Sequence, residues 1–369
     1  MKQGRSLKQA KAEQAAKKRR AKKRKRILVL LAEIFTLMML LGIGYVITKN
    51  DRLPLQQPNN EEIQVNEGVS QDGYTTIALF GGESSGIEQP SGTHVDTILV
   101  VSVDKESKEI RFVSIYRDLL TMQNNGEIKK ANSSYFSGGP IATMNMLNHN
   151  FDLSIQEYVS VDYRTMVTIV DSLGGIEIDV TSAEVEELNR QIADVAETIE
   201  QEATSVQEGL QTLDGIQTVA YAKISKNSLG GDVARTEREK SVIQKIHEKM
   251  KQSDSAAINE MMNQIIGQIS ASYEAEEFVE LVCTINQYEL KESKGFAFEY
   301  TEGTIDGIGS VFIPLGFTEN VQELHAFLFP NNDYVVSGAI YEIADQIEHL
   351  KESIKEDVED EKSSGNIVE

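Results

Sequence analysis

From residue 75 onward the chain alternates between two hydrophobic rhythms. Short runs rich in β-branched residues read as strands: "TTIALFGG" (75–82), "EYVSVD" (157–162), "IEIDV" (176–180), "GFAFEY" (295–300) and "SVFIPL" (310–315). The stretch "DTILVVSVDKESKEIRFVSIYRDL" (96–119) holds two such runs folded about "DKESKE" as a hairpin. Between the strands, apolar residues spaced three and four apart predict helices. "PIATMNMLNHNF" (140–151) carries Pro140 in its first turn, and "YRTMVTIVDSLGG" (163–175) is stopped by Gly174 and Gly175. Longer helices are expected over 182–204, 213–223 and 232–252, two more between 255 and 286, and a last one in "TENVQELHAFLF" (318–329). Strands and helices interleave, yet one connection is a hairpin. The pattern therefore predicts an α/β fold with a mixed central sheet covered by helices.

Both ends of the chain break these rhythms. "ILVLLAEIFTLMMLLGIGYVI" (27–47) has 21 residues and one charge, Glu33, which is enough apolar length to cross a bilayer as a helix. Residues 1–26 before it hold 13 Lys and Arg against Glu13, a net of +12, so that -34 falls on the rest of a chain whose total is -22. A basic flank beside an apolar span stays in the cytoplasm, which places the remainder outside. A cleaved signal peptide is the competing reading, but the apolar run is too long and no small-x-small site follows it. Residues 48–72 read as a polar linker, and 73–250 as the core domain. Residues 251–348 read as an extension packed on that core, and 349–369 as an acidic, disordered tail. The single cysteine, Cys283, excludes an intrachain disulfide and lies in an apolar helical pattern that suits a buried thiol.

The chain contains no Walker lysine loop, no GxGxxG after a strand, no GxSxG and no HExxH, and its five histidines lack metal-ligand spacing. Charged residues at strand ends are the candidates that remain, because ligands of open α/β sheets bind there. Glu83 follows the glycines of the first strand, Asp96 opens the second, and Arg117 and Asp118 close the third. "GGDVARTERE" (230–239) adds Asp232, Arg235, Arg238 and Glu239 at a helix start. There Asp232 is placed to cap the helix, and 232, 235 and 239 share a face. A helix N-terminus with an arginine beside it suits phosphate, although a capped helix with an ordinary i,i+4 ion pair accounts for the same residues.

Taken in order, "IALFGGE", "HVDTILVVSVD", "FVSIYRDL", "KKANSSYFSGGP", "VDSLGGIEIDV", "LDGIQTVAYAK" and "GGDVARTERE" resemble the LytR-CpsA-Psr family of envelope proteins over about 75–245. The basic tail and single anchor agree. The resemblance implies a three-layer α-β-α domain outside the membrane, and the topology gives no sign of a DNA-reading domain, so no nucleic-acid partner is expected. It implies transfer of a phosphate-linked glycopolymer from a polyprenyl diphosphate carrier to peptidoglycan in a Gram-positive bacterium. The lipid would lie in an apolar tunnel. By position, the resemblance gives catalytic roles to Asp96, Arg117, Asp232 and Arg235, and Mg²⁺ to Glu83 and Asp96. Diphosphate binding falls to Arg117, Lys223, Arg235 and position 239. Glu83 stands where the family has Asp, His94 where it has Arg, Lys223 and Ser225 where it has two arginines, and Glu239 where it has Gln. Fewer cations and one added carboxylate weaken a diphosphate seat, since lysine lacks arginine's two-pronged fork. A non-catalytic homologue that binds lipid carrier or wall polymer as an adaptor is the alternative.

Overall fold

The computed structural model describes residues 63–83, 92–253, 260–261, 264–265, 268–272 and 289–364. The predicted anchor, the basic tail, Cys283 and most of the two helices expected between 255 and 286 lie outside them. Among the described residues no helix is long and apolar enough to cross a membrane.

A six-stranded sheet forms the centre. Strands β1 (Tyr74–Gly82) and β2 (Val95–Asp104) pair antiparallel, and β3 (Glu109–Ile115) continues from β2 as the expected hairpin. After them come two antiparallel pairs outside this sheet, β4 (Leu120–Met122) with β5 (Ile128–Lys130), and β7 (Ile176–Val180) with β8 (Gly209–Leu213). Strand β6 (Glu157–Asp162) runs parallel to β1, and β9 (Ser270–Ala271) antiparallel to β6. Strand β10 (Glu289–Phe296) is parallel to β3, which gives the order β10-β3-β2-β1-β6-β9. A separate hairpin, β11 (Tyr300–Ile305) with β12 (Gly309–Pro314), completes the strands. The sheet is mixed, as the interleaved helices and the β2–β3 hairpin led us to expect.

Helices cover both faces. Helix α1 (Ser133–Phe151) is broken at Gly138 and Gly139, and Pro140 starts its second stretch. Then follow α2 (Tyr163–Ser172), α3 (Val185–Ile199), α4 (Gly215–Lys223), α5 (Gly231–Gln252), α6 (Phe317–Leu328) and α7 (Gly338–Ser364). The side chains of β1 and β2 alternate between two cores. Ala78, Phe80, Ile98 and Val100 pack with α1, α6 and α7, whereas Ile77 and Val103 pack with α2 to α5. The first face is sealed. On the second, Leu79, Val101, Val159 and Val161 remain half-buried in the middle of the sheet.

Several expectations need correction. The helix expected over 182–204 stops at Ile199, because Glu200 takes a left-handed conformation. The run 295–300 is split, with β10 ending at Phe296 and β11 starting at Tyr300. The acidic stretch expected to be disordered beyond 348 continues α7 to Ser364, and α6 is not the last helix. The end of the expected linker is docked: Asn66 donates to the carboxylate of Asp152 at 2.6 Å, and Gln71 is buried. Asp152 also accepts from the hydroxyl of Tyr334 at 2.6 Å, and from the hydroxyl (2.8 Å) and backbone N–H (3.0 Å) of Ser337. One buried carboxylate thus ties the residues before β1 and those before α7 to the end of α1.

Candidate functional site

Four strand ends meet at one edge of the central sheet: the exits of β1, β3 and β6 and the entry of β2. A bulge between Gly81 and Gly82 turns β1 out of register there. Gly82 is required, because a Cβ at that position would lie 2.4 Å from the carbonyl oxygen of His94. Asp162, the last residue of β6, caps α2 by accepting from the backbone of Thr165 at 2.7 Å, so strand passes to helix without a loop. That junction fixes Tyr163 beside Asp96. Across the edge, α5 delivers Arg235 from its first turns.

Asp96 is the hub. Its Oδ1 accepts from Arg117 Nη1 at 2.5 Å, and its Oδ2 accepts from the Tyr163 hydroxyl. Its backbone carbonyl accepts from Arg235 Nη1 at 2.7 Å. The same nitrogen reaches Glu239 Oε1 at 2.6 Å, and that oxygen also accepts from the Thr97 hydroxyl at 2.9 Å. Lys223, the last residue of α4, places its ammonium 4.3 Å from the centre of the Tyr163 ring. Arg235 is 2% exposed, which sets it apart from an ordinary surface pair. Burial opposes the charge of Asp96, but Arg117, Arg235, the Tyr163 phenol and Lys223 outweigh it and hold its carboxyl below the ordinary range. Burial and the Asp96 carboxylate push the Tyr163 phenol well up, so it stays a donor.

The remaining candidates take other places. Asp118 lies 3.7 Å from Arg117 Nε and pairs more closely with Lys130, at 2.8 Å. Glu83 is exposed at the rim, near enough to raise the Tyr163 pKa further. His94 is exposed and stacks on Phe136 at 4.6 Å. Ser225 does not join the hub and lines a separate recess of about 530 Å³ with Glu186, Glu187, Arg190 and Lys226. Helix α5 begins at Gly231, so Asp232 lies inside its first turn and not at the cap. Arg238 turns away to Glu184 (3.0 Å) and the carbonyls of Ile224 and Leu229, and Glu237 pairs with Lys240. Sequence reasoning missed Tyr163 and Thr97. The available signals were the β6–α2 junction, with no loop between 162 and 163, and the position of Thr97 next to Asp96.

Asp96 and Glu83 stand on paired strand ends. Two carboxylates completed by a ligand's phosphate oxygens form a donor set that suits Mg²⁺. Arg117 and Tyr163 hold both oxygens of Asp96 in this arrangement, and among the described residues no group of three or more His, Cys, Asp or Glu is gathered.

The sequence pattern of the LytR_cpsA_psr family matches residues 44–324. The chain belongs to this family. It is 26% identical over 243 residues to the polyisoprenyl-teichoic acid–peptidoglycan teichoic acid transferase TagV of Bacillus subtilis, covering 63% of this chain and 59% of TagV. The chain thus spans about three fifths of the length of curated LytR_cpsA_psr relatives that it matches. Among solved structures of similar fold, protein gbs0355 of Streptococcus agalactiae aligns with a TM-score of 0.58 at 17% identity, covering 74% of this chain and 94% of that one. TagT bound to LIIa-WTA aligns with a TM-score of 0.53 at 18% identity, covering 74% and 95%. At such identities the likeness is one of fold.

The hub makes one acid-stability prediction. A carboxylate whose pKa falls on folding contributes stability above its unfolded pKa, and this is lost as pH falls through the folded value. Tyr163→Phe removes a bond to the charged form of Asp96, and should cost about 1.5–3 kcal/mol at pH 7. That difference should shrink once the pH is taken well below about 4, as Asp96 becomes protonated. Denaturant melts of both proteins at several pH values check it; a difference independent of pH would mean that the phenol does not serve the carboxylate.

Proposed function

We propose that the chain is a membrane-anchored phosphotransferase that moves a phosphate-linked glycopolymer from a polyprenyl diphosphate carrier to peptidoglycan. The observation that carries this reading is the convergence of Arg117, Asp96 and Arg235 at the end of a half-covered apolar sheet face. A polyprenyl phosphate needs both parts: a long apolar surface for the chain and arginine forks for the head. TagV, a transferase by name, and TagT, bound to LIIa-WTA, lend support.

In the proposed reaction a peptidoglycan hydroxyl attacks the phosphorus that bears the glycan. The P–O bond to the lipid-bearing phosphate breaks, polyprenyl monophosphate leaves, and the hydroxyl proton passes to solvent or to the leaving phosphate. Arg117, Arg235 and Lys223 neutralise the charge that develops on the phosphoryl oxygens, and Asp96, itself held by the Tyr163 hydroxyl, keeps Arg117 in place. Mg²⁺, held by Asp96 and Glu83, would add positive charge at the diphosphate. The test is transfer of label from a lipid-diphosphate-linked glycan to insoluble peptidoglycan. Retention of all label in the lipid fraction, under conditions where TagV is active, would contradict the reading. The Glu239 carboxylate on Arg235 favours a second reading, in which the chain binds carrier lipid or wall polymer without chemistry.

The apolar run 27–47 and its +12 flank further support one membrane crossing, with the N-terminus in the cytoplasm and the described domain outside a Gram-positive cell. Protease added to intact protoplasts should remove residues 73–345 and spare the basic tail. A protected domain would overturn this topology.

A further inference from the structure

Arg235 already holds an anion of the protein's own. Its Nη1 bonds Glu239 Oε1 at 2.6 Å, and Thr97 donates to that same oxygen at 2.9 Å. The carboxylate is therefore held from β2 and from α5 at once, where a phosphoryl oxygen would sit on the arginine. Arg235 is fixed as well by its bond to the Asp96 carbonyl. An incoming phosphate can neither draw the arginine away nor avoid the carboxylate's field. The pair is 2% and 11% exposed, so water screens this field little.

The wider balance points the same way. Arg117, Lys223 and Arg235 face Glu83, Asp96 and Glu239, and the adjoining Asp118 and Lys130 offset each other. The protein's own side chains in this seat offer no surplus of positive charge to a highly charged anion.

Resting on the function proposed above, we infer that Glu239 is a specificity-determining residue that makes the seat reject surplus negative charge. It selects a diphosphate capped at its far end, with one charge on each phosphorus, over the bare carrier diphosphate. The substrate class is the glycan-bearing lipid, and the uncapped lipid diphosphate is excluded by its extra charge and not by its size.

Two probes of nearly equal size separate these ligands: farnesyl diphosphate, and the same molecule with a methyl ester on its terminal phosphate. The full-length protein in detergent, with no divalent cation added, should bind the methyl-capped probe at least about tenfold more tightly than the bare one, a modest discrimination for one added charge in a poorly screened site. Glu239→Gln should bring the two affinities within about threefold, chiefly by tightening the bare probe. Thr97→Val, which loosens the carboxylate without removing it, should narrow the ratio part-way, and it serves if Glu239→Gln does not fold. Wild-type protein binding the bare probe as tightly as the capped one would overturn the inference, as would a ratio that neither variant changes. Both outcomes leave the proposed function standing, because the lipids still bind. Saturable binding of neither probe, by wild type or variant, would sink the proposed function and this inference with it.

Discussion

Arg235→Ala should weaken binding of a polyprenyl phosphate by roughly 30- to 150-fold, the loss of one charged hydrogen-bonding fork to phosphate at about 2–3 kcal/mol. It should also destabilise the domain by about 3–5 kcal/mol, because Glu239 would be left buried without its arginine. The two effects can be separated. Arg235→Lys keeps the charge near Glu239 and should recover much of the stability, yet binding should stay weak because an ammonium cannot reproduce the fork. Arg238→Ala offers the contrast. Arg238 serves Glu184 and two carbonyls near α4, so its loss should cost stability and leave lipid affinity within about threefold. Titrations with farnesyl phosphate alongside thermal melts check all three. Equal affinity in the Arg235 and Arg238 variants would reduce "GGDVARTERE" to a helix start with ion pairs.

The largest stability effect is expected far from this site, at Asp152. Its side chain is fully buried and accepts from Asn66, Tyr334 and two groups of Ser337. Its backbone is left-handed, with φ 50°, a conformation that Asp tolerates better than Ala does. Asp152→Ala removes the shared acceptor and leaves four partly buried donors unmatched, at a cost of about 4 kcal/mol or more. Urea melts should show this loss, and limited proteolysis should cut earlier between 330 and 340, where the chain enters α7. A loss under about 1 kcal/mol would mean that water replaces the carboxylate freely.

Four strands of the central sheet were legible because they are apolar runs bounded by glycine or charge, whereas β9 and the polar β10, "ELKESKGF", carry no such run. β1, the β2–β3 hairpin and β6 follow the pattern, and the Asp214–Gln217 capping box starts α4 within the expected helix. Outside the main sheet, β7 and β12 were read as strands but their partners were harder to see. β8 reads "GLQTL" with Leu210 exposed, and β11 reads "YTEGTI" with Gly303 in its interior, so neither has a two-sided core to imprint a pattern. In α7, the acidic composition hid the buried stripe Ile340, Ile343 and Ile347. At the site, Asp96 and Arg117 stood out as charges at the ends of apolar runs, and Arg235 as part of a charged helix start. Tyr163 looked like one more helix residue and Thr97 like one more strand residue. Their roles arise only when the topology sets the start of β2 and the end of β6 on either side of β1 and brings α5 across them.

The central claim is that the half-covered sheet face leads lipid to the Arg117–Asp96–Arg235 hub. Photocrosslinking tests it most directly: a farnesyl diphosphate with a diazirine near the far end of its chain, irradiated on the full-length protein and mapped by mass spectrometry. The account predicts label in β1, β2 and β6 around Leu79, Val101, Val159 and Val161, competed by unlabelled lipid and reduced in Arg117→Ala. Competed label concentrated instead around Val335 and Tyr341, beside the Asp152 clasp, would contradict it.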